Sequence, residues 1–215
     1  FVYVGGISSE EILNEINKNF KTFKKRVKTN YPKIQLEKNK SNKENIIKVA
    51  DSFNFYSSVF PIIFSKRIDK DLFYLLKVIL NKKIKDDLVF KKKISYDIEV
   101  EFTEFETVGL LDINSSFSKG NKEKIIETLN KEIFSFKINK RELQQAKNKI
   151  LDHFDFMSDD PVELSEYLAL SLISDEKLRT LKQEKKIFQE ITLLEINNFA
   201  KKIFISNNNF LFSSN

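Results

Sequence analysis

Cysteine and tryptophan are absent from the chain, and methionine and histidine occur once each. Without cysteine there is no disulfide, no thiolate metal site and no thiol nucleophile. That absence leaves the compartment undecided. Four glycines and three prolines in 215 residues are too few for a loop-built or fibrous protein. No window approaches the roughly 18 to 20 uncharged apolar residues of a membrane span, so the chain reads as soluble, whether cytoplasmic, periplasmic or organellar. No signal peptide is visible, although a missing N-terminus would remove one. What is present is 41% hydrophobic residues, with 21 phenylalanines among them. The expected core is therefore Phe, Ile and Leu. The net charge of +6 and pI near 9.2 could suit an acidic partner such as nucleic acid. Lys, Asn, Ile and Phe are all abundant together, however, which points to compositional bias. Of the basic runs "KTFKKRVK" (21–28) and "FKKKI" (90–94), the second is followed at once by an acidic stretch.

Hydrophobic periodicity divides the chain. The opening "FVYVGG" reads as a short buried strand and a glycine turn. Ser8 with Glu11 then forms a capping box, and Ile12, Leu13, Ile16, Phe20 and Phe23 form a helical stripe. Residues 28–45 are polar and aperiodic, as in a long exposed loop. "NIIKVADS" and "FNFYSSVFPIIFSK" read as strands, with Pro61 marking an edge or an end of the second. Asp69 is the expected cap of a helix carrying Leu72, Leu75, Leu76, Ile79 and Leu80, with a shorter helix or turn over 84–91. In "YDIEVEF" Tyr96, Ile98, Val100 and Phe102 alternate with acids, the mark of a half-buried strand. "ETVGLLDINSSF" (106–117) is its hairpin partner. Helices follow, marked by Ile125–Ile133, by Asn139 with Glu142, by the Asp160–Pro161 start and by the Thr192–Glu195 box. A last strand closes the chain.

This order implies an α+β fold, a mainly antiparallel sheet with helices packed on one face. Residues 1–215 read as one domain: a sheet-bearing part (1–138), a helical part (139–204) and a closing strand (205–215).

No catalytic constellation is complete. His153 lies on the stripe side of its helix with no second histidine or cysteine to join it in binding a metal, and no GxSxG elbow accompanies it. The carboxylates of "SDDPVE" have the register of a helix cap and lack EF-hand spacing. "VGG" is no dinucleotide fingerprint. The acids of "EVEFTE" lie on the wet face of a strand.

Taken in order, the segments resemble a known family. "FVYVGGISSEEILNEINKNF", "DDLVFKKKISYDIEVEF", "KRELQQAKNKIL", "SDDPVELSEYLALSLI" and "ITLLEINNFAKKIFISNNNFLF" together resemble a domain of the insulinase-like zinc metallopeptidases, which include pitrilysin and the mitochondrial processing peptidases. Gly6 stands where Asp or Asn is usual. The resemblance implies a processing-peptidase-like (LuxS-like) half-domain and a longer parent chain. In that parent, zinc is held by an HxxEH helix and a distal Glu, and two halves close on a peptide substrate.

The chain has no HxxEH, so the resemblance implies a domain without metal or cofactor, inactive alone and more akin to the C-terminal half. Its partners would be the other domains of the polypeptide and a peptide, with no membrane. Tyr96 matches the family tyrosine that binds substrate and steadies an oxyanion. The family arginine falls at Val89, which leaves Lys91 and Lys92 as candidate replacements, without the bidentate fork. Alternatives are a catalytically dead structural subunit of the same family and a basic nucleic-acid-binding α+β domain.

Overall fold

The computed structural model describes residues 1–22, 44–47, 54–105, 107–117, 120–175, 178–204 and 210–214. Its elements are α1 (Ser9–Phe20), β1 (Glu44–Ile47), β2 (Asn54–Ile63), α2 (Arg67–Lys85), a π-helical turn (Asp86–Lys91), β3 (Asp97–Glu104) and β4 (Val108–Phe117). There follow α3 (Lys122–Phe134), α4 (Lys140–Asp159), α5 (Pro161–Asp175), α6 (Leu181–Glu190), α7 (Leu193–Ile203) and β5 (Phe210–Ser214). The sheet runs β1-β5-β2-β4-β3. Every pairing is antiparallel except β1 with β5. The expected α+β class, antiparallel sheet and helical C-terminal portion are all present.

One sheet face carries the core. Ile98, Val100, Leu111, Ile113, Tyr56 and Phe60 are buried there, in register across β3, β4 and β2. Leu72, Leu75, Leu76, Ile79 and Leu80 of α2 are buried in the same cluster, as are Ile196, Phe199, Ala200 and Ile203 of α7. Phe73 of α2 meets Phe102, Phe64 and Phe199 edge-on at 4.6, 5.6 and 6.3 Å, the ring geometry favoured by aromatic quadrupoles.

Several expectations are corrected. Residues 1–6 are not a strand. Phe1 is 86% exposed, its ring lies 4.8 Å from that of Phe20, and the Tyr3 hydroxyl accepts from the Ile7 amide. This stretch folds back on α1 with none of its residues buried, because an apolar run bounded by glycine specifies neither a strand partner nor a surface to bury it. The face of α1 holds no fully buried residue. Asp69 is not the cap of α2: the helix starts two residues earlier, and the Asp69 carboxylate accepts from the Ser65 and Lys66 amides at 2.8 and 3.0 Å. Pro61 lies within β2, which runs on to Ile63 against β4. Pairing with β5 stops at Val59, so Pro61 stands where β2 has a strand on one side only among the described residues. His153 is exposed, at the edge of the α4 stripe, with Nε2 3.5 Å from a Glu163 oxygen. Of the polar loop expected over 28–45, all but the last two residues lie outside the described residues, as do Phe23 and 205–209 of the closing segment.

Candidate functional site

Tyr96, Lys91 and Lys92 all fall on the connection from α2 to β3, which is built in three steps. The last turn of α2 widens into the π-helical turn, burying Leu88. Lys93 then takes a left-handed conformation, φ 52°, which turns the chain toward the sheet. Ser95 enters the core, and its hydroxyl meets the Asp97 and Ser116 carbonyls and the Ser115 hydroxyl at 2.7–2.9 Å. With Ser95 held inward, Tyr96 points out and is 74% exposed. The strict alternation read in "YDIEVEF" therefore begins at Ile98, and Tyr96 is not an inward residue of the strand. Its amide still donates to the Ser116 carbonyl at 3.0 Å, which fixes its backbone beside β4.

The two lysines differ. Lys92 Nζ lies 2.5 Å from the Asp87 carboxylate. Lys91 is exposed and lines a cleft of about 900 Å³ between α2, the π-helical turn and α4, with Lys77, Arg141, Lys149 and the exposed Phe90.

A second concavity, of about 280 Å³, lies among α2, α4, α5 and α6. Its base is a partly buried ion network. Arg179 Nη1 donates to both Asp71 oxygens at 3.0 Å and to Glu184 at 3.2 Å. Arg67 stands 3.7 Å from the other Glu184 oxygen, and Lys70 lies 2.7 Å from Glu104. Burial pushes the Asp71 carboxyl up to about 6, against the pull of Arg179. Burial raises the Tyr167 phenol too, helped by the adjacent Glu184. Arg179 is held more firmly protonated, because bonds to Asp71 and Glu184 outweigh its desolvation.

This network was not read from the sequence, where Asp71, Arg179 and Glu184 look like solvated charges. A signal existed for Glu184: it follows Leu181 by three residues and precedes Phe188 by four, which places it on the apolar stripe of α6. Lys147 is a parallel case on the stripe of α4. It is buried and donates to the Gln189 and Ile191 carbonyls at 2.7 and 2.5 Å, so burial lowers its pKa.

The donor set does not suit zinc. Among the described residues no three His, Cys, Asp or Glu side chains are grouped to hold a metal. The carboxylates of the cavity already have cationic partners.

The sequence profile of the peptidase M16 inactive domain matches residues 1–150. The chain belongs to that family. The resemblance of its segments to insulinase-like zinc peptidases is thereby borne out. In fold this M16 inactive domain is similar to a protease from Helicobacter pylori, with a TM-score of 0.82 and 13% identity, covering 99% of this chain and 54% of that one. The periplasmic protease PqqL from Escherichia coli gives 0.76 and 11%, covering 98% of this chain and 24% of that one. A peptidase M16 inactive domain from Pseudomonas fluorescens gives 0.64 and 15%, covering 79% and 42%. At these identities the likeness is one of fold. The chain spans about half the length of the first of these proteins and a quarter of the second. No curated protein matches the chain in sequence. Among the described residues no helix is long and apolar enough to cross a membrane.

Proposed function

We propose that this M16 inactive domain forms part of the chamber in which a longer zinc peptidase encloses and hydrolyses peptides, and that it is inactive by itself. The zinc and the water-activating glutamate belong, on this reading, to another part of the polypeptide. The observation that carries it is a sequence matched as an M16 inactive domain that has one histidine, no cysteine and no HxxEH. Zinc peptidase chemistry needs three protein ligands and an open coordination position, and no such grouping of ligands occurs among the described residues.

Within that chamber Tyr96 contacts the substrate. Its exposed ring on a connection fixed by Ser95 and Ser116 supports this role. Lys91 is the better replacement for the family arginine, since Lys92 is engaged by Asp87. Lys91 supplies charge to a developing oxyanion without a bidentate fork.

The parent protein carrying this chain provides the test. It is expected to bind one zinc and to cleave a quenched-fluorescence peptide, while the 215-residue chain alone does neither. Tyr96→Phe in the parent is expected to lower kcat more than it raises KM. A parent that binds no zinc and cleaves no peptide would instead make this domain part of a catalytically silent scaffold. Stoichiometric zinc on the isolated chain would overturn the reading.

A further inference from the structure

The 280 Å³ cavity among α2, α4, α5 and α6 has a composition that selects its guest. Its apolar lining is Tyr74, Phe102, Phe154, Met157 and Phe188, with Leu170 at the rim, and this lining stands over the charged base described above. Phe188 lies 5.8 Å from Phe154 and 6.1 Å from Tyr74, and Phe154 meets Tyr167 at 5.9 Å and 71°. These rings are tilted or edge-on to one another, so further ring edges and faces can be met without rearrangement. The sulfur of Met157, in a residue only 3% exposed, adds a polarisable contact suited to an aromatic ring. The volume lies just below that of most small-molecule sites and suits one large side chain.

Charge narrows the guest further. Each carboxylate around the cavity already faces a cation: Glu104 faces Lys70, Asp71 faces Arg179, and Glu184 faces Arg179 and Arg67. A charged guest would lose its hydration and find every counter-ion already engaged. A neutral ring can rest on the aromatic and thioether part of the lining and leave the ion pairs of the base intact.

The roof is unusual. α5 is apolar on several sides yet has no fully buried residue among those whose burial is described, and Val162, Leu170, Leu172 and Ile173 are all exposed. A helix that is apolar all round is ordinarily a buried one. One side of α5 covers the cavity and the other extends an apolar surface away from its mouth.

We propose that this cavity is an accessory subsite that takes one neutral aromatic side chain of a peptide substrate. The peptide as its source rests on the chamber reading above; the ring-binding chemistry does not.

The composition provides clean probes, because the chain has one methionine, which lines the cavity, and no tryptophan. With ¹³C-methyl methionine in the 215-residue chain, Met157 is a single reporter. N-acetyl-tryptophanamide is expected to shift its signal saturably, and the ligand's indole emission to move to the blue. A capped pentapeptide with a central tryptophan is expected to do the same at least as tightly. Capped arginine and glutamate amides are expected to leave the signal in place. Leu170→Arg, at a 57% exposed rim position, is expected to weaken binding at least about tenfold. Leu172→Arg, on the same helix but outside the lining, is expected to bind as the parent sequence does.

No Met157 shift with any aromatic ligand overturns the subsite, as does equal binding by the Leu170→Arg chain. A shift with the capped amino acid but none with the peptide overturns the peptide assignment. Because binding is read on this chain alone, a failure of peptidase activity in the parent leaves these outcomes distinguishable.

Discussion

Arg179 holds together the most consequential charges in the molecule. Removing it leaves the half-buried Asp71 and the buried Glu184 without their shared donor, and leaving such groups unsatisfied costs about 1–3 kcal/mol. Arg179→Met is expected to lose stability on that scale in urea unfolding. Asp71 sets a pH dependence of its own. Its folded pKa, raised from 3.8 to about 6, means that folding favours the protonated carboxyl. The stabilisation is fully present below the unfolded value and is lost as pH rises through about 6. The stability of the wild-type chain relative to Asp71→Asn should therefore be greater at about pH 4 than at about pH 7. A difference that is flat or rises across this range would mean that the Arg179 bond outweighs burial. Glu184 and Lys147 were opaque in the sequence for a common reason. A charge at a stripe position has the spacing of a core residue and the chemistry of a surface one, and only the partner, distant along the chain, decides between them. Tyr96 was misread for the opposite reason, since its apolar ring fitted an alternation that Ser95 breaks with a short, fully satisfied hydroxyl.

The elements themselves were far more legible, because their signals are local. The boxes at Ser8–Glu11, Asn139–Glu142 and Thr192–Glu195 form as the spacing predicts, and Asp160 accepts from the Val162 and Glu163 amides. A fourth box, Thr180–Gln183, carries the same signature and went unread. Thr192→Ala should cost about 1 kcal/mol, read as a lower denaturation midpoint. Gly109 shows what a local reading does not reach. It sits within β4, and a Cβ there would stand 2.4 Å from Phe64 Cζ and 2.7 Å from Phe73 Cε1. Phe73 is fully buried among other rings, so it has little room to yield. Gly109→Ala is expected to destabilise by about 1–3 kcal/mol through overpacking, although alanine has no backbone difficulty in a strand. An unchanged midpoint would show that Phe64, nearer the edge of the core, absorbs the methyl group.

At the scale of the whole molecule the decisive fact is where β5 sits. It comes from the last residues of the chain but lies inside the sheet, between β1 and β2. Glu44–Ile47 pairs with Leu211–Ser214, and Tyr56–Val59 pairs with Phe210–Ser213. The buried cluster is likewise continuous from Tyr56 and Ile113 of the sheet to Leu143, Phe188 and Phe204 of the helical portion. Sheet and helices therefore share one set of apolar contacts, and a chain built this way should unfold in a single cooperative transition. Two resolved transitions by calorimetry would instead divide the helical portion from the sheet as a separate domain. Deleting residues 210–215 tests the same connection from the other end. It removes the strand partner of β1 found among the described residues and leaves β2 with unpaired backbone groups along Tyr56–Val59. Exposed edges of this kind recruit other strands. The truncated chain is thus expected to melt lower and to associate at concentrations where the intact chain does not, as light scattering after size exclusion would read. Unchanged melting and mass would show that β1 and β5 lie outside the cooperative unit. The core would then be complete without the closing strand.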